Sequence, residues 1–567
     1  MSDADSALGP AVVRPLPAVT PHTRPFWTGG EQGELRLYRC AACGLLLHPS
    51  QVVCPRGDGG ELAVHTVSGR GHVLSVSVNG QQWLPELPPP YVVAVVALAD
   101  DPAVRLTTNV VGCAPEDVVI GMPVRVRFVQ QEDVWLPLFE PDPWGMPVEA
   151  TAASFTPLPP ACALPRPARR PVAAGSRRFE ERVAITGAAQ SRIGRRLMRP
   201  PVELAVEACR AAVADAGLTM DDIDGLSTYP GGFLEPMGIS EGGVGAVEEA
   251  LRIHPVWING GDESPGQLGS VIAAMLAVAS GLCQHVLCFR TVWESTHTTL
   301  LREGQLALPP GGRVTGSFQY QLPFGAASAA QWVAQYASHY FARFGASRET
   351  LGWIALNARA HAGLNPAAIY RTPLTMDDYL AARTITTPFG LYDCDVPCDG
   401  ATAFVVSAVD AARDLRAPVL VEAVGTALDE RQSWDQGTVS HMPNVFGPAA
   451  HLWSRTSLRP ADVDVALLYD GFSFVALSWL EALGFCGIGE AADFLDGGKR
   501  IGLHGELPLN PHGGQLSAGR THGYGFLHEA VVQLRGDGGA RQVVGARTAV
   551  VSAGGGVPAG CMLLRRD

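Results

Sequence analysis

Three cysteines are spaced for metal chemistry. In LYRCAACGLLLHPSQVVC, Cys40 and Cys43 form a CxxC knuckle and Cys54 follows. A zinc ribbon holds its ion with two such knuckles, because each tight turn aims two thiolates at one tetrahedral centre. Gly57 stands where a fourth cysteine would be, so three thiolates remain, with His48 or Asp58 to complete a site. Structural zinc and a ribbon that folds without metal both stay open. Other chemistries are closed off. The 42 basic residues include a single lysine, Lys499, in the turn-like DGGKRIG. A Schiff-base mechanism needs a desolvated lysine, and a solvated one does not serve. His504, His512, His522 and His528 lack the HxH or HExxH spacing of a catalytic metal site.

The elements that position such groups fall on either side of a proline-rich stretch. Nine prolines lie between Pro141 and Pro171, a density that denies helix and central strand and marks a linker. Before it, the β-rich runs His72–Val78, Tyr91–Ala99 and Pro123–Val129 are separated by Gly, Pro and Asp turns, the spacing of a small β-barrel. After it, a strand (Arg182–Ala189), a helix (Val202–Gly217) and a second strand (Ile223–Tyr229) alternate, which predicts α/β architecture. The domain reading is a tail at 1–20, a ribbon and barrel at 21–142, a linker at 143–180, and two α/β halves at 181–415 and 416–567.

Composition narrows the function classes. The 567 residues are 47% hydrophobic and 17% charged, with net charge −13. That describes a multidomain globular chain and excludes extensive disorder. Without a basic run, neither nucleic acid nor an anionic membrane is an expected partner. Trp83, Tyr91 and Trp135 have no basic neighbours of the kind a single-strand-binding barrel needs. The longest apolar stretch, Val271–Cys283, is 13 residues, short of the roughly 20 that span a bilayer, so it reads as a buried helix. An acidic, polar N-terminus and singly placed cysteines fit a reduced cytoplasmic setting.

Beyond these patterns, Arg24–Trp27, the CxxC with Leu45–Pro49, Ser68–Ser75 and Val110–Phe128 resemble the zinc-ribbon/OB-fold proteins that accompany acyl-CoA-processing thiolase-fold enzymes. The larger part resembles the thiolase superfamily, in its branch near sterol carrier protein x thiolases and the lipid-transfer-protein aldolases of steroid side-chain breakdown. Pro323–Gly345, Leu391–Val406, Leu467–Ala491, Leu507–Gly536 and Val550–Gly560 carry that likeness, in the family's order. It implies a thiolase fold of two βαβαβ-type halves layered α-β-α-β-α, preceded by an OB barrel with a degenerate ribbon, and assembly as a homodimer.

The resemblance also implies a reaction, through what is missing. A thiolase uses a cysteine at the start of a buried helix as nucleophile. The equivalent segment, Ile258–Gly281, contains none, and Ser264 falls at that position, followed by Pro265 as if capping the helix. The second thiolase cysteine position, before Gly554, Gly555 and Gly556, is Ser552. Without thiols the acyl-enzyme route is lost, while backbone donors able to hold a thioester enolate survive. Retro-aldol cleavage of a bulky, steroid-type 3-hydroxyacyl-CoA is the expected activity. An acyltransferase or a non-catalytic acyl-CoA binder is the alternative. No cofactor is required, and CoA enters as part of the substrate. Tyr469, in the YDxF form seen in the steroid aldolases, is the first choice for proton transfer, which asks for a lowered phenol pKa. Arg520 occupies the histidine position of the thiolase GHPxG loop, with His522 and Tyr524 as nearby donors. Ser264, Asp470, Gly554, Gly555 and Gly556 are the expected oxyanion and substrate-binding positions, Asp470 and Asp399 are also read as orienting backbone, and Pro323–Val333 as an apolar pocket lining.

Overall fold

The computed structural model describes residues 13–56, 60–148, 178–231, 238–306, 312–412, 415, 417–428, 433–437, 439, 443–555 and 559–566. Most of the expected linker, and Gly57 and Asp58, lie outside them. The amino-terminal part opens with a three-stranded ribbon, β1 (Leu35–Cys40), β2 (Leu46–Leu47) and β3 (Leu62–Val67), with β1 central. A barrel follows, made of β4 (Arg70–Asn79), β5 (Tyr91–Leu98), β6 (Arg105–Thr108), β7 (Pro123–Gln131) and β8 (Val134–Pro141). Burial alternates residue by residue along β4, so one face of the strand fills the barrel and the other meets its surroundings.

The larger part contains β9 (Val183–Gln190), β10 (Gly225–Thr228), β11 (Trp257–Gly260), β12 (His285–Trp293), a small hairpin of β13 (Thr384–Thr386) and β14 (Phe389–Gly390), then β15 (Asp399–Ala408), β16 (Val419–Gly425), β17 (Val465–Leu467), β18 (Thr548–Gly554) and β19 (Ala559–Arg565). Its sheet runs β11-β10-β12-β15-β9 and continues as β16-β19-β18-β17. The two halves repeat one strand order outward from the β9–β16 seam, where Val419 faces Ile185 and Leu420 faces Ala184. Strands β12 and β15 are buried along almost their whole length, because helices cover both faces of the sheet. Pro201–Asp215 packs on one face, and Gly269–Ala279 and Tyr524–Arg535 on the other.

Barrel and core are joined by polar contacts as well as apolar ones. Thr386 of β13 pairs with Asn79 of β4, extending the barrel sheet with a strand from the larger part. The helix Ala329–Phe344 starts at Ser328, whose hydroxyl accepts from the Ala330 N–H. It then drives Gln335 into the barrel wall, where Nε2 donates to Ser77 Oγ and Val93 O, both at 2.9 Å. Buried amides of this kind fix one docking geometry, since any other leaves them unpaired. Part of Pro323–Val333, expected to line an apolar pocket, goes to the barrel instead. Phe324 packs into the barrel core, and its carbonyl accepts from Asn109 at 2.8 Å.

Candidate active site

Three chain segments far apart in sequence are tied together by backbone hydrogen bonds. The Asp395 N–H donates to Gly471 O (3.1 Å), the Val396 N–H to Gln515 O (3.0 Å) and the Arg520 N–H to Val396 O (2.8 Å). Residues 394–396 thus lie between the YDGF motif and the GGQLSAGR loop. Asp470 fixes the same junction from beneath, accepting from the Gln515 N–H at 2.7 Å and Asn510 Nδ2 at 3.2 Å. Its burial pushes its carboxyl up to about 8. A side chain at residue 514 would put its Cβ 1.8 Å from Asp470 Oδ2, and φ there is +58°, so only glycine fits that turn. Asp399 also orients backbone as expected, accepting from the N–H groups of Leu197 (2.8 Å) and Thr296 (2.9 Å).

Arg520 sits at the centre of the junction. Nε lies 3.1 Å from Asp395 Oδ2 and Nη1 3.2 Å from Glu294 Oε1. These carboxylates hold the guanidinium firmly charged despite its burial. His522 lies beside it, with Nε2 3.4 Å from Arg520 Nη2, while Arg290 Nη2 approaches Nδ1 at 3.0 Å. Burial and the two arginines drive the imidazole pKa well below its ordinary value, so the ring is neutral. Arg290 and Arg520 only donate and each approaches one ring nitrogen; the shorter 3.0 Å contact from Arg290 favours Nδ1 as the acceptor and Nε2 as the protonated nitrogen. Two donor-bearing side chains, His522 and Arg520, thus lie next to each other, a pairing that suits an oxyanion. Tyr229 locks the loop by donating to His522 O at 2.6 Å, and its ring receives Arg290 at 4.5 Å.

Tyr469 is buried, with its N–H donating to Ser552 Oγ at 2.9 Å and its ring 5.8 Å from that of Phe526. The expected lowering of its phenol pKa is not what the structure gives. Arg520 pulls it down, but burial outweighs that pull and leaves it above the ordinary value. The Tyr469 phenol is therefore protonated at neutral pH.

The remaining sequence candidates separate. Ser264 is exposed and caps nothing, because the helix begins only at Gly269, after Leu268. The intervening turn is set by Gly266 at φ +62°, where a Cβ would lie 2.6 Å from Ala553 O. The turn thus packs on the β18–β19 hairpin before the helix can start. The Tyr524 hydroxyl pairs with Ser270 Oγ at 2.6 Å. Gly554 offers its carbonyl to Trp479 Nε1 (2.8 Å), and Gly555 packs on Val475. Gly556 lies outside the described residues. Cys40, Cys43 and Cys54 bring their sulfurs within 4.8 Å of one another, Cys43 and Cys54 at 3.5 Å, a separation that suits thiolates sharing one tetrahedral ion. His48 directs Nδ1 to Ser50 Oγ at 2.7 Å. Lys499 is solvated, 3.5 Å from Asp496.

Sequence reading missed Asp395, Glu294, Glu263, Arg290 and Tyr229, which join the cluster; burial pushes the Glu263 carboxyl up against the pull of Arg290 and Arg520. Asp395 had only its place in LYDCDVPCDG to point to it. Several buried polar atoms here have no hydrogen-bond partner among the described residues, including Arg290 Nε, Thr291 Oγ1, Glu294 Oε2 and Gln515 Nε2. Such atoms are rare in cores and concentrate at binding sites.

Comparison with known proteins identifies the domains and relatives of the chain. Family models match for the rubredoxin-like zinc ribbon domain of ChsH2 over residues 27–63, the C-terminal OB-fold domain of ChsH2 over 64–129, and a thiolase C-terminal domain-like region over 434–562. The chain is 35% identical over 393 residues to a steroid side-chain-cleaving aldolase of Thermomonospora curvata, covering 68% of this chain and 98% of that one. It is 36% identical over 394 residues to the 17-hydroxy-3-oxo-4-pregnene-20-carboxyl-CoA lyase of Mycobacterium tuberculosis, covering 67% and 98%. The solved Ltp2-ChsH2(DUF35) aldolase superposes with a TM-score of 0.61 at 32% identity, covering 68% of this chain and 98% of that structure.

Proposed function

Because this chain belongs to the thiolase-superfamily aldolases that cleave steroid side chains, we propose that it is a carbon–carbon lyase cleaving a bulky, steroid-type 3-hydroxyacyl-CoA by a retro-aldol reaction. The observation that carries this reading is the pairing of a protonated Tyr469 with the donors of Arg520 and His522, at a site where serines, not thiols, stand where the resemblance puts the thiolase cysteines. Ser264 is exposed, and the Ser552 hydroxyl is engaged by the Tyr469 backbone. As the Cα–Cβ bond breaks, the electron pair moves into the thioester. Arg520 and His522 Nε2–H hold the enolate oxygen, and the Tyr469 phenol delivers its proton to Cα, releasing a shortened acyl-CoA and a ketone or aldehyde. No covalent acyl-enzyme forms.

The test is a panel of 3-hydroxyacyl-CoAs, scored for carbonyl release. Tyr469→Phe should lower turnover by about 10² to 10⁴ with thioester binding retained. Intact mass after substrate exposure should show no acyl adduct, and an acylated Ser264 would restore acyl transfer.

The exposed edge strand β11, with Ile258 58% accessible and Val256 just before it 70%, supports the further reading that two copies pair there as a homodimer. Cys40, Cys43 and Cys54 would hold a zinc ion by three thiolates, supplying a covalent clamp on the ribbon and no chemistry to the reaction. Elemental analysis giving less than one zinc per chain, with activity unaffected, is the expected result.

A further inference from the structure

The reaction above leaves one proton without a destination. The β-hydroxyl must lose its proton as the Cα–Cβ bond breaks, and Tyr469, held protonated by burial, is a donor and cannot receive it. We propose that the Asp395 carboxylate takes the β-hydroxyl proton. The assignment rests on the retro-aldol reading and deepens it.

Three observations converge on Asp395. A cleft of about 420 Å³ opens beside the junction, lined in part by Arg195, Arg359, Tyr370, Tyr392 and Leu516. Asp395 is the one carboxylate among the described residues lining it. Its side chain keeps 11% of its surface accessible, so it is desolvated yet reachable. Its backbone is clamped on both sides, with its own N–H on Gly471 O and the Val396 N–H on Gln515 O. The carboxylate is therefore fixed between the cleft and Arg520, 3.1 Å from the guanidinium that faces the enolate oxygen.

The protons and electrons balance. The β-hydroxyl proton moves to an Asp395 oxygen, and the O–H pair becomes the second bond of the new carbonyl. The Cα–Cβ pair becomes the enolate, which Tyr469 protonates at Cα. Asp395 then returns its proton to the Tyr469 phenolate, whose phenol already feels the Asp395 charge. No oxidant, reductant or added base enters. The ionisation of Asp395 fits the task. Burial pushes the carboxyl up to about 7 against the pull of Arg520, and Glu294 pushes it the same way, so it is a stronger base than a solvated aspartate and still charged at pH 8. The other titratable groups facing it are Tyr469 and Asp470 on the YDGF motif and Cys394 and Cys398 on its own segment. Both thiols are pushed far up by burial and stay neutral.

The test compares wild type, Asp395→Asn and Asp395→Glu as full chains on whichever 3-hydroxyacyl-CoA the wild type cleaves, from pH 5.5 to 9. Wild-type kcat/KM should rise about tenfold per pH unit below about 7 and then level off. Asp395→Asn should be about 10² to 10⁴ slower and flat through that window, while binding butyryl-CoA, which has no hydroxyl to deprotonate, within about threefold of wild type by calorimetry. Asp395→Glu, which restores a carboxylate, should recover the acid limb, and it decides the matter should Asp395→Asn fail to fold. Asp395→Asn within about fivefold of wild type, or slow with its acid limb intact, or Asp395→Glu without the limb, overturns the assignment and leaves Asp395 as a positioning residue for Arg520. A wild type that cleaves nothing overturns the reaction itself and this assignment with it, a result distinct from cleavage that is indifferent to residue 395.

Discussion

Removing Arg520 tests how the cluster manages its charges. Arg520→Gln deletes the cation lying 3.1 Å from Asp395 and 3.2 Å from Glu294. Coulomb attraction at 3.1 Å with an effective dielectric constant of 20 is about 5 kcal/mol, yet the measured loss should be smaller, because a buried carboxylate without a partner takes up a proton. In the wild type Asp395 already sits at about 7, and the substitution raises it further. At pH 6 the group is mostly protonated in both proteins, and its share of the stability difference is near zero. Above pH 7 the wild type ionises while the variant must stay neutral, which costs the variant about 1.4 kcal/mol per pH unit. The sign follows from the direction of the shift. A carboxyl whose folded pKa is raised stabilises the fold at low pH and loses that contribution as pH rises. The deficit from Asp395 should therefore be about 1.4 kcal/mol at pH 8 and about 2.7 kcal/mol at pH 9, with the lost Glu294 pairing added to it. Urea unfolding followed by tryptophan fluorescence at pH 6, 7, 8 and 9 measures it. A deficit equal at pH 6 and pH 9, or one that grows toward acid, would refute the reasoning.

Other substitutions probe the Ser264 turn and the β11 edge. Ser264→Ala should change stability by less than about 0.5 kcal/mol and leave turnover intact, because the residue is exposed and caps no helix; chemical denaturation and kinetics on the same preparation check both. Gly266→Ala should cost about 2 to 4 kcal/mol, combining left-handed strain at φ +62° with a methyl 2.6 Å from Ala553 O, and a near-neutral unfolding midpoint would show that the turn is not seated on the β18–β19 hairpin. Light scattering at micromolar concentration should give a dimer, and Ile258→Arg, with its side chain on the exposed edge of β11, should shift it toward monomer without unfolding the chain.

The sequence by itself determined the elements and the missing chemistry. The β-rich runs before the prolines and the strand–helix–strand alternation after them folded as read, because hydrophobic periodicity is set by neighbours along the chain. The serines at the positions where the resemblance puts the thiolase cysteines, and the isolation of Lys499 in a glycine turn, are likewise read from residue identity. Only the tertiary structure decided what fills the site. Asp395 meets Arg520 across 125 residues and Arg290 meets His522 across 232, and no local pattern encodes such pairs. The proton affinities were equally out of reach. The YDxF motif identified Tyr469, but whether its phenol gives or takes a proton depends on burial outweighing one arginine, and burial is a property of the assembled fold. Ser264-Pro265 shows the converse limit. Its residues spell a helix start, and the β18–β19 hairpin pressed against Gly266 moves that start to Gly269, because close packing between distant segments outweighs the roughly 1 kcal/mol a cap can contribute.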